Sequence, residues 1–116
     1  MLFRIALPSL FIIAFLPGPA ISFTGHELYE SASYYQLERE NKDLGPSYRS
    51  GLYIGYVKGI ADVFGIQEKI CTNGENSFGE VADSVASHLL ENEWLKDLPP
   101  AISVSNAFME LYPCGK

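Results

Sequence analysis

Apolar residues recur along the chain with helical rather than strand spacing. Leu28, Ala32 and Tyr35 fall at i, i+4 and i+7 behind Thr24-Gly25-His26-Glu27, a capping-box pattern in which a Thr hydroxyl accepts a first-turn amide proton. This spacing predicts an amphipathic helix over 25–41 with Glu30, Glu38, Arg39 and Glu40 on its other face. Asn41 to Pro46 (NKDLGP) breaks it. Ser47 to Ile66 reads as a second helix with Leu52, Tyr56, Ile60 and Val63 as its apolar stripe. Gln67 to Asn76 is a polar loop around Cys71. Ser77-Phe78-Gly79-Glu80 is a second capping box opening a third helix, with Phe78, Val81, Ala82, Val85 and Leu89 on one face. That helix fades at Asn92–Asp97. Pro99-Pro100 starts a fourth, because proline is tolerated in a first turn. Ile102, Phe108, Met109, Leu111 and Tyr112 supply its apolar side, and Pro113 ends it. The expectation is an all-α, compact four-helix domain.

Two positions stand outside this pattern. Gly51, Gly55 and Gly59 form a second stripe on the second helix, spaced four apart. A mid-helix glycine costs about 1 kcal/mol against alanine. Three in register suggest a backbone packed close by, inside the bundle or across a dimer, with chance as the alternative. The membrane version of the motif is excluded by Arg49, Lys58 and Asp62. The other is the start of the chain. Met1-Leu2-Phe3-Arg4 is short and positive, Ile5 to Leu16 (IALPSLFIIAFL) is apolar, and Pro17-Gly18-Pro19 with Ala20-Ile21-Ser22 supplies a break and small residues. Residues 1–22 therefore read as a signal peptide cut near Ser22–Phe23, and residues 23–116 as the helical domain. The alternative is an uncleaved membrane anchor, which the length of the apolar run disfavours because a span takes about 20 residues. An oxidising compartment follows, most simply a bacterial periplasm, with no membrane contact after cleavage. Cys71 and Cys114, the only cysteines, are then most simply a disulfide, with free thiols or metal ligands as alternatives.

Composition narrows the function. The 116 residues amount to one domain. Without the leader, Lys+Arg falls from 8 to 7 because Arg4 goes, while Asp+Glu stays at 14, so the net charge moves from −6 to −7. Such a domain repels nucleic acid and anionic lipid. His26 and His88 are the only histidines, and neither lies in a nucleophile motif. Glu80 and Asp83 share a helix face, but helix capping and solvation account for them. No HExxH, EF-hand or Walker pattern occurs, so no catalytic residue, metal or cofactor is expected. Tyr34 and Tyr35 are adjacent on a helix and cannot both face the core. Trp94 sits among Glu91, Asn92, Glu93, Lys96 and Asp97. It either presents a contact surface or covers the base of the bundle.

The chain resembles the Rap/Tai family of type VI secretion immunity proteins. The resemblance rests on the export signal, the capped first helix, Gly55-Tyr56-Val57-Lys58-Gly59-Ile60-Ala61-Asp62, and Cys71 in its loop. It continues through the helix opened by Ser77 to Val81, the Pro100-Ala101 start and the closing Tyr112-Pro113-Cys114, and so covers 24–115. Many family members look as if they carry a second cysteine pair. Here Ser31 or Ser33 and Tyr53 stand near those places, and that bridge is absent. The resemblance implies a small periplasmic inhibitor, often a homodimer, that binds a cognate secreted peptidoglycan amidase and occludes its active-site cleft. It points to the third helix and the loop after it, about Ser87 to Asp97, with Glu91, Glu93 and Trp94 as contacts. The alternative is a small periplasmic chaperone or stress-response binding protein.

Overall fold

A computed structural model describes residues 23–41, 44–45, 47–67, 69–72 and 77–114. The expected signal peptide, and residues 73–76 of the expected polar loop, lie outside the described residues. Among the described residues four α-helices follow in order: α1 (Gly25–Glu40), α2 (Tyr48–Ile66), α3 (Phe78–Glu91) and α4 (Pro100–Leu111), with a 3-10 turn (Glu93–Asp97) between α3 and α4. Apart from an isolated bridge between Ile70 and Pro113, no β structure occurs among the described residues.

The helix starts follow the side chains that the sequence places there. Thr24 Oγ1 accepts from the Glu27 amide at 3.1 Å. Ser47 Oγ accepts from the Ser50 amide at 3.1 Å, and the Ser47 amide donates to Glu38 of α1 at 3.0 Å, so one cap also closes the α1–α2 corner. Ser77 and Glu80 form the full reciprocal box. Each interaction satisfies an amide that would otherwise have no intrahelical acceptor.

The core lies where α1, α3 and α4 enclose the inward side of α2. Leu28, Ala32 and Tyr35 come from α1, Tyr53 and Val57 from α2, Val81, Ala82, Val85, Ala86 and Leu89 from α3, and Val104, Ala107 and Phe108 from α4. Tyr35 is buried and Tyr34 exposed, as adjacency on a helix requires. Two faces differ from expectation. On α2 the inward residues are Ser50, Tyr53 and Val57, whereas Leu52, Tyr56 and Ile60 are only partly buried and Val63 is half exposed. α2 is apolar nearly all round, so its spacing admits two stripes and periodicity alone cannot choose between them. On α4 the inward residues are Ser103, Val104, Ala107 and Phe108. Ile102 and Met109, both taken as apolar-side residues, are exposed, as is Leu111. Small Ser103 and Ala107 fill the inward positions because α4 packs close to its neighbours, and size was not visible in the pattern.

Cys71 and Cys114 are bonded, with Cα atoms 5.0 Å apart and a sequence separation of 43. The Cys71 amide donates to the Tyr112 carbonyl at 2.9 Å alongside the bridge. The chain end after α4 is thereby tied to the connector between α2 and α3.

Candidate functional site

α3 stops at Asn92, whose backbone leaves the helical region. Its amide donates to the His88 and Leu89 carbonyls, and its side-chain Nδ2 donates to His88 O at 2.8 Å. One asparagine thus satisfies the last carbonyls that the helix leaves open. The 3-10 turn that follows is fixed on its inner side by Leu95, which is fully buried. Its carbonyl accepts from Ser103 Oγ of α4 at 2.6 Å. Backbone meets backbone on another side. A methyl group built on Gly25, the first residue of α1, would overlap the carbonyl oxygens of Lys96 and Leu98. Only a glycine lets the α1 start rest on this segment. Outer contacts complete the corner: His26 Nε2 lies 3.0 Å from Asp97 Oδ1, and Lys96 Nζ donates to Glu93 at 2.7 Å while standing 5.5 Å from the Tyr29 ring centre. These pairs are solvent-exposed and add little energy each.

The result is a rigid turn with its tryptophan outside. Trp94 is 58% exposed. The residues on either side of it are anchored, Glu93 to Lys96 and Leu95 in the core. Glu91, also exposed, ends α3 and lines a shallow groove of about 350 Å³ with Asp83, Ser87, His88 and Leu111. All three sequence-selected contact residues, Glu91, Glu93 and Trp94, therefore emerge at one end of the molecule. Glu91 and Trp94 are unengaged, while Glu93 is held by Lys96. The three stripe glycines lie elsewhere, along the outer face of α2. A methyl on Gly51, Gly55 or Gly59 would meet nothing within 4 Å, so among the described residues no backbone packs against them. The expectation of close packing within the bundle does not hold.

Sequence reasoning passed over Gly25, Ser103 and Asp83. Asp83 was read as helix solvation. In the fold it clamps α1 to α3: Arg39 donates to it through Nε and Nη2, both at 3.0 Å, and the Tyr35 hydroxyl donates at 2.6 Å. Burial alone would raise the Asp83 carboxyl, but the hydrogen bonds from Arg39 and Tyr35 and the guanidinium charge outweigh it and hold it below the ordinary aspartate value. Burial and the same carboxylate push the Tyr35 hydroxyl up. Beneath this clamp the Tyr53 ring lies 4.8 Å from that of Tyr35, and its hydroxyl donates to the Ala82 carbonyl at 2.6 Å. The local signal that could have found Asp83 was a carboxylate on a helix whose mate carries an arginine one turn beyond a tyrosine.

His26 and His88 contact Asp97 and Asn106, and neither approaches a nucleophile among the contacts found. Among the described residues, no group of three or more His, Cys, Asp or Glu is placed to hold a metal ion, and no helix is long and apolar enough to cross a membrane. What the Trp94 corner can do chemically is present an exposed aromatic ring, on a backbone held by Leu95, Ser103 and Gly25, beside carboxylates, which suits recognition of another macromolecule.

The family model of Rap1a immunity proteins matches residues 24–114, from the N-cap of α1 to the disulfide. The chain belongs to the Rap1a immunity family. The match spans all four helices, the 3-10 turn and both cysteines. No curated protein and no solved structure gives a significant match. Membership assigns the chain an immunity role toward secreted effectors. It also puts the Trp94 corner and the disulfide inside the matched region.

Proposed function

We propose that this Rap1a-family protein is exported to the periplasm, where it binds a cognate secreted peptidoglycan amidase and blocks its active-site cleft. It makes and breaks no bond of the substrate. The observation that carries the reading is the exposed Trp94 on a turn fixed by Gly25, Leu95 and Ser103. A backbone that is already held in place loses little freedom on binding, so more of the burial of the ring it carries appears as affinity. Glu91 and the excess of acidic residues elsewhere on the chain favour a partner whose contact surface is cationic.

Occlusion makes three demands that catalysis does not. The complex is stoichiometric, inhibition is complete at one inhibitor per enzyme, and the inhibitor alone turns nothing over. The test is co-expression, in the periplasm of a susceptible cell, of the chain with the amidase encoded beside it. Survival of cells carrying both, with lysis of cells carrying the amidase alone, is the expected result. Lysis in both cultures, with the chain present and folded, overturns the proposal.

A further inference from the structure

α3 ends on an acid. Glu91 is its last residue, exposed and without a partner among the described residues. The carbonyl end of a helix has a partial negative charge, so a carboxylate there is repelled and a cation is the stabilising choice. Glu91 therefore works against the helix it ends, and no ion pair among the described residues offsets it. An ordered fold that breaks a local rule in this way marks a position that serves something outside the chain.

The groove of about 350 Å³ beside it is lined by α3 and by Leu111 at the end of α4. Neither helix has a Lys or Arg. The cations of the neighbouring segments are already matched, Arg39 with Asp83 and Lys96 with Glu93. Asp83 also lines the groove, but both of its oxygens are engaged by Arg39 and Tyr35. Glu91 is thus the uncompensated charge of the groove. His88 Nε2 lies 3.1 Å from Asn106 Oδ1 and ties α3 to α4 there. Ser87 stands one turn before Glu91 on the same face of α3. Its hydroxyl oxygen takes one proton from Gln36 Nε2 at 3.3 Å and keeps a lone pair for another donor. Leu111 adds an apolar wall. A free carboxylate, an open hydroxyl acceptor and an apolar wall, with no unmatched cation nearby, suit a long basic side chain.

We infer that the groove between α3 and α4 seats one arginine side chain of the effector. The inference rests on the reading of the chain as an amidase inhibitor and states which chemical group of the enzyme the groove recognises. A guanidinium presents five N–H donors in one plane and is weakly hydrated. Two of them meet the Glu91 carboxylate as a fork, and a third is left for the Ser87 hydroxyl. The stem lies along Leu111. A lysine ammonium has three donors, holds its water more strongly and makes no such fork. The arriving cation also cancels the repulsion at the end of α3, so part of the binding energy is the relief of a misfit that the free chain retains.

The experiment pairs thermal melts of the free chains with calorimetric titration of the amidase encoded beside the gene. Glu91→Gln should melt about 1–4 °C higher than the wild type, because the repulsion at the end of α3 is gone. The same variant should bind the amidase about tenfold or more weakly. Glu110→Gln makes the same change on α4 outside the groove and should keep the wild-type affinity. Surface arginines of the amidase are then replaced one at a time. One alanine variant should lose affinity for the wild type but not for Glu91→Gln, and lysine at that position should not restore it. A lower melting temperature for Glu91→Gln overturns the inference, because Glu91 then serves the fold. An equal loss from Glu110→Gln overturns it by reducing Glu91 to bulk charge, and so does coupling of Glu91 to a lysine. If Trp94→Ala weakens binding and Glu91→Gln does not, the groove is empty in the complex and the inhibitor reading stands. If the amidase does not bind the wild type at all, that reading falls and the inference with it.

Discussion

Two groups of glycines in this molecule have opposite surroundings. At the start of α1, Gly25 is buried with the backbone of residues 96–98 against it, and any side chain would collide with two carbonyl oxygens. Along α2, Gly51, Gly55 and Gly59 face open space. The regular group is the one that sequence spacing picks out, yet the solitary glycine is the one the fold of the single chain requires. What makes a glycine necessary is the approach of a remote backbone, here about seventy positions away, and periodicity within one helix carries no record of it.

The sharpest way to break this contrast is Gly25→Ala. The carbonyls it meets belong to main chain and cannot rotate away, so the 3-10 turn must move off α1. The expected cost is about 2–3 kcal/mol, a fall in melting temperature of roughly 10–20 °C for a domain of this size. An unchanged thermal melt would mean that the corner is looser than described. Gly59→Ala has the opposite sign. It restores helix propensity with nothing to collide with, a gain of about 0.5–1 kcal/mol in denaturant unfolding. A loss there would place a neighbour against α2 within the single chain.

The closed side of α1 offers a smaller refinement. Ser31 is buried among apolar neighbours, and its hydroxyl has no hydrogen-bond partner. A buried donor without an acceptor is a net cost. Ser31→Ala should therefore raise stability by about 0.5 kcal/mol, read as a small upward shift of the urea midpoint. The smallest effect concerns the clamp at the other end of α1. Asp83 titrates below the ordinary aspartate value of 3.8 in the folded chain. A carboxyl depressed in this way contributes stability above the unfolded-state pKa and loses it as pH falls through the folded one. Stability should decline below about pH 4, and Asp83→Asn should show a flatter acid limb between there and pH 2. Because Asp83 is half exposed the difference is modest. Identical acid limbs would remove the clamp from the account.

These cases also show what the sequence could tell. Helix starts were legible because the capping residues act within three positions: Thr24, Ser47 and Ser77 each accept the expected amide. The bridge between Cys71 and Cys114 was legible from parity and from the expected export signal. The inward faces of α1 and α3 were legible because their polar and apolar sides differ. The inward faces of α2 and α4 were not. α2 has apolar residues everywhere, and α4 turns small residues inward and leaves Ile102 and Met109 outside. The candidate site was legible in one respect, an aromatic among acids, since Trp94 is difficult to bury there. Its rigidity was not, because Gly25, Leu95 and Ser103 meet only in the folded chain. Asp83 was hidden for the same reason: its partners, Tyr35 and Arg39, lie on another helix.

The central claim is that an exposed tryptophan, carried on an anchored turn, holds the chain on its effector. The most direct measurement is calorimetric titration of the secreted amidase with wild-type protein and with Trp94→Ala. Trp94 is more than half exposed and lies outside the buried core, so the variant should stay within a few degrees of the wild-type melting temperature. Its affinity should fall by about thirtyfold or more, the loss of at least about 2 kcal/mol typical of an aromatic anchor. Equal affinities for the two proteins would contradict the account and place the binding surface elsewhere on the helices.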